Sequence, residues 1–338
     1  MKKLFTLLLV ASLLLCACGP ISPERHTVTY LNLFDTVTTL ITTEGTETEF
    51  RQKSQAIYEA LLSYHQLFDI YNDYEGINNL KTVNDNAGIS PVTVAPEIIA
   101  LLQDCKEYYE LTDGMVNVAM GSVLRLWHHA RTQSLKDPDS AYIPDSNTLN
   151  NAAQHTNFDC VIIDEAASTV YITDPELSLD VGAIAKGWAC QRVAETAPAG
   201  MIISVGGNVC VTGPKDDAGT PWVIGVQNPS DSNSYLHTVS VAGGAVVTSG
   251  DYQRVYTVDQ KAYHHIIDPQ TQMPAAYWRS VTVVCADSGL ADVLSTALFL
   301  LPLEKGQALA ENCGADVFWL SLSGSEHMTP GYREKVRN

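Results

Sequence analysis

Positive charge is scarce in this 338-residue sequence. Its 20 lysine and arginine residues stand against 38 aspartate and glutamate residues, which gives a formal net charge of −18 at pH 7. A chain with so few positive charges is not expected to bind nucleic acid through its overall field. Binding of an anionic ligand would need local help from a metal ion, a lysine or the free backbone amides at a helix start.

Paired cysteine motifs, repeats and linkers are also missing after the first 18 residues. Among the cysteines that follow, no two have the C-x-x-C spacing of a zinc ribbon or a thioredoxin-type site. Most lie in apolar runs such as Val209-Cys210-Val211, which favours buried thiols over disulfides. No Pro/Gly/Ser-rich linker divides the chain, so we expect one domain. These cysteines are Cys105, Cys160, Cys190, Cys210, Cys285 and Cys313.

The amino terminus has the layout of a secretory signal peptide. Lys2 and Lys3 precede an apolar run over residues 4–15, which is too short to span a membrane. A branched apolar residue and a small residue stand before Cys18, as at a lipoprotein cleavage site, although an ordinary signal peptide with incidental cysteines is the alternative. Lipid on Cys18 would anchor the protein to the outer face of the cytoplasmic membrane or to an outer membrane. The predicted boundaries are a leader over residues 1–17, a lipidated cysteine and tether over 18–27, and a domain over 28–338.

The hydrophobic periodicity predicts an intertwined α+β domain with mixed or antiparallel sheets flanked by helices. Helices are predicted over residues 49–68, 96–114, 123–129, 182–196 and 291–301. Strands are predicted over residues 27–43, 201–205, 222–227, 245–248 and 280–286, with a hairpin over 158–179.

The first candidate site is a strand end that turns through glycine into a helix. It reads Asp180-Val181-Gly182-Ala183-Ile184-Ala185-Lys186-Gly187. Such a turn presents free backbone amides and a lysine to a phosphate. The G-x-G-x-x-G and Walker spacings are both missing, so the segment by itself also fits an ordinary turn with a solvent-facing lysine.

The second candidate site is a carboxylate and a hydroxyl on one helix face. Asp292 and Thr296 are four residues apart, and both are hard oxygen ligands of the kind that magnesium prefers. The simpler interpretation is that Asp292 interacts with the helix dipole and Thr296 packs in the core.

The third candidate site is the histidine pair in Tyr263-His264-His265-Ile266-Ile267-Asp268-Pro269. A histidine beside a phosphate could remove a proton from an attacking hydroxyl, because its ordinary pKa lies near neutrality. A structural hydrogen-bonding role is the alternative. Another pair, His128 and His129, has no neighbours in sequence that suggest chemistry.

In this order, the segments resemble the FAD:protein FMN transferase family, the ApbE-like flavin transferases. The likeness runs from Phe34-Asp35-Thr36 to the helix with Thr296. Its most specific pieces are the Asp180–Gly187 segment, Val205-Gly206-Gly207-Asn208, Thr248-Ser249-Gly250-Asp251-Tyr252, His265-Ile266-Ile267-Asp268-Pro269 and Ala291-Asp292 with Ser295-Thr296. The sequence departs from the family where Phe34 replaces a frequent Met, Val116-Asn117 a frequent Phe-Asp, and Thr271-Gln272 a frequent Thr-Gly.

The resemblance implies a role for each matching residue. Asp180 and Lys186 would contact FAD, while the backbone carbonyl of Ala183 would hold Mg²⁺ together with Asp292 and Thr296. The flavin or adenosine pocket would be lined by Phe34, Tyr71, Met115, Val116, Asn117 and Ile266. The catalytic residues would be His265 as the base, Lys186 and Asp292.

The activity implied by the resemblance is the magnesium-dependent transfer of the FMN half of FAD to a threonine or serine hydroxyl of an acceptor protein, with release of AMP. The acceptor would belong to an extracytoplasmic flavin-dependent electron-transfer system. Two alternatives remain at this point. The same site could use water and act as an FAD pyrophosphatase, or the protein could be a non-catalytic flavin-binding lipoprotein.

Overall fold

The computed structural model describes residues 24–337, and these form the expected α+β fold. The predicted leader and the lipidated Cys18 lie outside the described residues. The strands are β1 (His26–Leu33), β2 (Thr36–Thr42), β3 (Val92–Thr93), β4 (Val161–Asp164), β5 (Thr169–Ile172), β6 (Met201–Val205), β7 (Asn208–Val211), β8 (Trp222–Asn228), β9 (Asp231–Val241), β10 (Gly244–Gly250), β11 (Tyr256–Val258), β12 (Lys261–Tyr263), β13 (Trp278–Cys285), β14 (Asp316–Ser321), β15 (Glu326–Met328) and β16 (Val336–Arg337).

Helices flank these strands. They are α1 (Glu47–Phe68), α2 (Leu80–Asp85), α3 (Pro96–Leu111), α4 (Gly121–Lys136), α5 (Ser146–Ala152), α6 (Ala185–Ala194), α7 (Ser288–Leu300), α8 (Leu303–Asn312) and α9 (Pro330–Lys335). Within residues 24–337, none of them is both apolar and long enough to cross a bilayer.

An eight-stranded sheet in the order β1-β2-β6-β7-β10-β13-β14-β15 organises the fold, and all its neighbouring strands are antiparallel. Side chains of β10 and β13 alternate between its two faces. Val246 and Val284 pack under the smaller β16-β9-β8 sheet, whereas Val247 and Val283 face the helices. Because both faces are covered, the central strand β13 is buried along almost its whole length.

Helix α7 is the buried helix on the helical face of the sheet. It packs against β10, β13 and α6. Its first turn is capped by Asp287, whose side chain accepts a hydrogen bond from the backbone N–H of Leu290 at 2.8 Å. Since Asp292 and Thr296 lie on α7, the core of the protein positions them directly.

Most predicted elements differ from the structure by a few residues at their ends, and three differ in a way that affects the site. The strand predicted over 27–43 is a β1–β2 hairpin, because Phe34 and Asp35 turn the chain with φ values of 51° and 52°. Its Thr/Val/Leu-rich sequence contains no glycine to indicate this turn. The helix predicted from residue 182 begins at Ala185, after a turn, and the short helix predicted over 123–129 is the longer α4. The hairpin over 158–179 is confirmed as β4 and β5.

The cysteines after the predicted leader are all unpaired among residues 24–337, as expected. Cys105, Cys190, Cys210 and Cys285 are buried, while Cys160 and Cys313 are half-buried. Burial raises the pKa of Cys105 and Cys190, so these two thiols stay protonated.

Candidate active site

A cavity of about 630 Å³ lies between α6, α7, the ends of the sheet and the loops that follow α1 and α3. This volume is within the range of ordinary ligand pockets. All residues predicted to contact FAD or the metal line it, although their roles remain predictions. They are Phe34, Tyr71, Met115, Val116, Asn117, Asp180, Ala183, Lys186, His265, Ile266, Asp292 and Thr296. The segments that were ambiguous one by one in the sequence therefore meet in a single cavity.

Asp292 links the two helices that border the cavity. It is only 5% exposed, and its Oδ2 accepts the backbone N–H of Gly187 at 2.9 Å. Nζ of Lys186 lies 3.4 Å from the same oxygen and donates to the Gly182 carbonyl at 3.1 Å. A buried carboxylate requires such partners, because an isolated one would lose its hydration without compensation. The lysine predicted in the first motif and the aspartate predicted in the second thus form an ion pair.

Glycine at position 187 allows the close approach of α6 and α7. A Cβ atom added to Gly187 would lie 2.5 Å from Cβ of Asp292 and 2.8 Å from Nδ2 of Asn208. Real Cβ contacts are essentially never this short. The absence of a side chain therefore lets the backbone of α6 reach the carboxylate on α7.

Three oxygen donors in the cavity fit the magnesium site implied by the sequence. The carboxylate of Asp292 and the hydroxyl of Thr296 come from one face of α7, and the Ala183 carbonyl comes from the turn before α6. Among the described residues, that carbonyl accepts no hydrogen bond, because Gly187 donates to Asp292 instead. No cluster of three or more His, Cys, Asp or Glu suited to a metal occurs in residues 24–337. A set with one carboxylate suits Mg²⁺, which keeps waters and takes phosphate oxygens to complete its octahedron.

Asp180 closes the turn that leads into α6. Its Oδ1 accepts the backbone N–H of Gly182 at 2.9 Å. Burial in the cavity wall raises the pKa of Asp180, and this hydrogen bond together with the positive charge of Arg254 offsets part of the rise. The side chain therefore holds the turn before α6 in shape and also lines the cavity.

The two neighbouring histidines have different environments. Nε2 of His264 donates to the Ala275 carbonyl at 2.9 Å, and its Nδ1 accepts the N–H of Ile266 at 3.2 Å, so both ring nitrogens are engaged. Nδ1 of His265 lies 3.1 Å from the Gln253 carbonyl and must donate to it. The other nitrogen of His265, Nε2, is therefore an unprotonated acceptor.

The ring of His265 is neutral at physiological pH. Burial, together with the charge of Arg254, lowers the pKa of His265 to about 3. A neutral imidazole is the form required of a general base, but so low a pKa makes it a weak base in the ligand-free protein. A bound phosphate would raise this pKa, because a nearby negative charge favours the imidazolium ion.

Several cavity residues were not predicted from the sequence. His128 was set aside, yet it lines the cavity and stacks on Tyr71 with ring centroids 5.3 Å apart. Arg131 and Arg254 also line it, as does Asn208, whose buried Nδ2 has no partner among the described residues. The prediction that α4 ends at residue 129 left Arg131 out, and one further turn of helical pattern would have included it.

Two positions that depart from the family pattern have local structural roles. The backbone N–H of Phe34 donates to Nδ1 of His65 at 3.2 Å, which fixes the strained β1–β2 turn at the cavity. The Asn117 amide donates to the Thr156 carbonyl at 2.8 Å and accepts the N–H of Ala119 at 2.9 Å. Asn117 therefore shapes the loop after α3, and backbone groups already occupy both ends of its amide.

The fold and the cavity define an α+β protein in which the turn before α6, helix α7 and the histidine segment meet at one pocket. The model of the ApbE family matches residues 34–319, which is most of the chain. The protein belongs to the ApbE family.

Known relatives agree with this assignment. The FAD:protein FMN transferase of Klebsiella pneumoniae (strain 342) is 33% identical over 264 residues, covering 74% of this chain and 78% of the relative. The FAD:protein FMN transferase of Treponema pallidum (strain Nichols) is 31% identical over 277 residues, covering 76% and 75%.

Solved structures of the family share the fold. The ApbE protein of Thermotoga maritima superposes with a TM-score of 0.81 at 26% identity, covering 93% of this chain and 100% of that one. Flavin transferase ApbE of Vibrio cholerae has a TM-score of 0.76 at 23% identity, covering 92% and 99%, and so shows likeness of fold alone.

Proposed function

We propose that this protein is an FAD:protein FMN transferase that depends on Mg²⁺. It transfers the FMN half of FAD to a threonine or serine hydroxyl of an acceptor protein and releases AMP. The observation that carries the proposal is the meeting of Lys186, Asp292, Thr296 and the Ala183 carbonyl in one cavity with His265. This combination suits phosphoryl transfer, in which catalysis is mostly positioning and charge neutralisation.

The protein groups divide the work of the reaction. The acceptor oxygen forms a bond to the FMN phosphorus. The bond between that phosphorus and the bridging oxygen breaks, and the bridging oxygen leaves as part of AMP. Nε2 of His265 takes the hydroxyl proton, and Lys186 with the amides at the start of α6 offsets charge on the phosphates. Mg²⁺ held by Asp292, Thr296 and the Ala183 carbonyl would neutralise the pyrophosphate oxygens.

We place the reaction outside the cytoplasm, with Cys18 as the lipid anchor. The leader sequence supports this placement, and β1 begins at His26, only a short segment after Cys18. Seven intervening residues can span at most about 25 Å, which would keep the domain near the membrane surface. The acceptor would be an extracytoplasmic electron-transfer protein, for which covalent attachment prevents loss of the flavin.

The test uses the protein cut after Cys18, incubated with FAD, MgCl₂ and an acceptor carrying a candidate threonine. Intact-mass spectrometry of the acceptor should show the gain of one FMN, and EDTA should abolish it. Asp292→Asn should lose transfer but keep FAD affinity, whereas Asp139→Asn, an exposed residue outside the cavity, should behave as wild type.

Other products would redirect the assignment. Free FMN and AMP beside an unmodified acceptor would identify an FAD pyrophosphatase. FAD that stays intact with magnesium present would leave only a flavin-binding lipoprotein.

A further inference from the structure

The cavity contains a second cluster of positive charge, apart from Lys186. We propose that Arg131 and Arg254 form a second phosphate-binding locus, which holds an oxyanion of the FAD pyrophosphate. The inference rests on the proposed function, because the pyrophosphate is the anionic group of that substrate. It assigns a binding role to two residues that the sequence patterns did not single out.

The two arginines come from separate segments and face the same cavity. Arg131 lies on α4, and Arg254 lies in the turn between β10 and β11. Nη2 of Arg131 is 3.3 Å from Nδ1 of His128, which in turn stacks on Tyr71. The guanidinium of Arg131 is thereby held at the edge of an aromatic pair.

Neither arginine has a carboxylate within 4.0 Å in the part of the chain from residue 24 to 337. Within the same residues, Arg125 and Arg333 also lack such a partner, but only Arg131 and Arg254 among these arginines line the cavity. Arg131 is half-buried and Arg254 is exposed, so an anionic ligand in the cavity can reach both guanidinium groups. Burial and the charge of Arg254 lower the pKa of Arg131, so each positive charge opposes the other. A bound anion would relieve this repulsion.

The backbone at Arg254 points to the same conclusion. Its φ of 47° lies in the left-handed region, which residues other than glycine rarely adopt. Strained conformations of this kind cluster at ligand sites, where the surrounding structure maintains them.

Phosphate is the oxyanion that best fits the position. The charges of Arg254 and Lys186 both lower the pKa of His265 and the pKa of Asp180. The two positive loci therefore border the same part of the cavity. Lys186 already contacts Asp292 and the Gly182 carbonyl, which leaves it few donors for two phosphates. Guanidinium groups match phosphate oxygens with paired N–H donors and can serve the second phosphate.

The test measures nucleotide binding by the full-length protein in MgCl₂, without acceptor. Calorimetry would compare AMP with adenosine, and FMN with riboflavin, for wild type, Arg131→Gln and Arg254→Gln. We expect about tenfold weaker binding of a phosphorylated ligand and unchanged binding of its phosphate-free partner. Lysine in place of either arginine should restore part of the affinity. Arg125→Gln is the matched control, because Arg125 lies exposed on α4 outside the cavity.

Each outcome decides the proposal. A loss confined to AMP assigns the locus to the leaving phosphate, and a loss confined to FMN assigns it to the transferred phosphate; both support it. The proposal would be overturned if the variants bound both nucleotides as wild type does, or if they lost affinity equally for adenosine or riboflavin. It would also be overturned if wild type bound the phosphorylated and phosphate-free ligands equally well. The binding test does not depend on turnover. If the protein transfers FMN but the arginine variants bind nucleotides as wild type does, only this inference is refuted. Phosphate-selective arginines in a protein that leaves FAD intact would refute only the proposed function.

Discussion

Replacing Gly187 with alanine tests whether the contact between α6 and α7 forms the site. In an ordinary helix, this change stabilises the protein by about 1 kcal/mol. Here the added Cβ would lie 2.5 Å from Cβ of Asp292 and would also meet the Ser288 backbone carbonyl. Backbone atoms and a Cβ cannot swing aside as the end of a long side chain can, so the helices must separate.

The size of the effect follows from two costs and one opposing gain. Overpacking a core costs about 1–3 kcal/mol, and stretching the hydrogen bond from the Gly187 N–H to the buried carboxylate costs about 1.5–3 kcal/mol when that bond is lost. Against the gain in helix propensity, we expect a net loss of about 2 kcal/mol in the free energy of unfolding. For a protein of 338 residues, whose unfolding entropy is about 2.1 cal/mol/K per residue, this corresponds to a fall of roughly 3 °C in Tm.

The expected loss of activity is larger than the loss of stability alone would produce. A shift of about 1 Å in a positioning group can lower turnover about a hundredfold. Thermal unfolding and the initial rate of FMN transfer would be measured on the same preparation, well below Tm. Gly306→Ala is the control, since a Cβ in that α8 position would meet nothing closer than 3.6 Å. It should leave activity unchanged and raise Tm slightly.

The reasoning would be refuted if Gly187→Ala raised Tm and transferred FMN at the wild-type rate, as Gly306→Ala should. A stable but inactive variant would still support the role of the contact in positioning Asp292.

Four further outcomes are expected. The pKa of about 3 keeps His265 in its base form in the ligand-free protein, so kcat/KM for FAD should not fall with an apparent pKa near 6.5; a loss of half of kcat/KM there that disappears in His265→Ala would contradict this. The unfolded chain binds more protons than the folded one between pH 6.5 and 3, so His265 should make stability fall as pH drops through that window, and His265→Ala should flatten a plot of urea midpoint against pH. Among the cysteines of residues 24–337, a thiol reagent added to native protein should modify Cys160 and Cys313 first, and mass spectrometry that found the buried cysteines modified first would show the burial to be wrong. Asp287→Ala should cost about 1 kcal/mol of stability by urea denaturation through loss of the α7 cap, with Asp139→Ala as the neutral comparison.

The resemblance to a known family grouped residues that line one cavity, whereas the local patterns missed the turns around it. Asp180 and Lys186, Asp292 and Thr296, and His265 come from three segments spread over more than 100 residues, and the resemblance of their order placed them together. Periodicity could not have done so, because it reports only which face of an element is apolar.

What the sequence missed depends on tertiary contacts. The Phe34-Asp35 turn adopts positive φ without glycine or asparagine, held in part by the hydrogen bond to His65. His128 and Arg131 become cavity residues only because α4 lies beside Tyr71. The long strand β9 alternates only weakly between exposed and buried side chains, so it gives little signal of period two.

The burial of α7 has a consequence for motion. Almost every residue of this helix is shielded from solvent, so its backbone amides should exchange hydrogen for deuterium only when the whole protein unfolds. The floor of the cavity, with Asp292, would then be its least mobile part. Admission of a dinucleotide must instead depend on the rim, where the Phe34-Asp35 hairpin turn and the loop with Arg254 have strained and partly exposed backbones. Local opening at these two loops, rather than any movement of α7, would set how quickly ligand enters and product leaves.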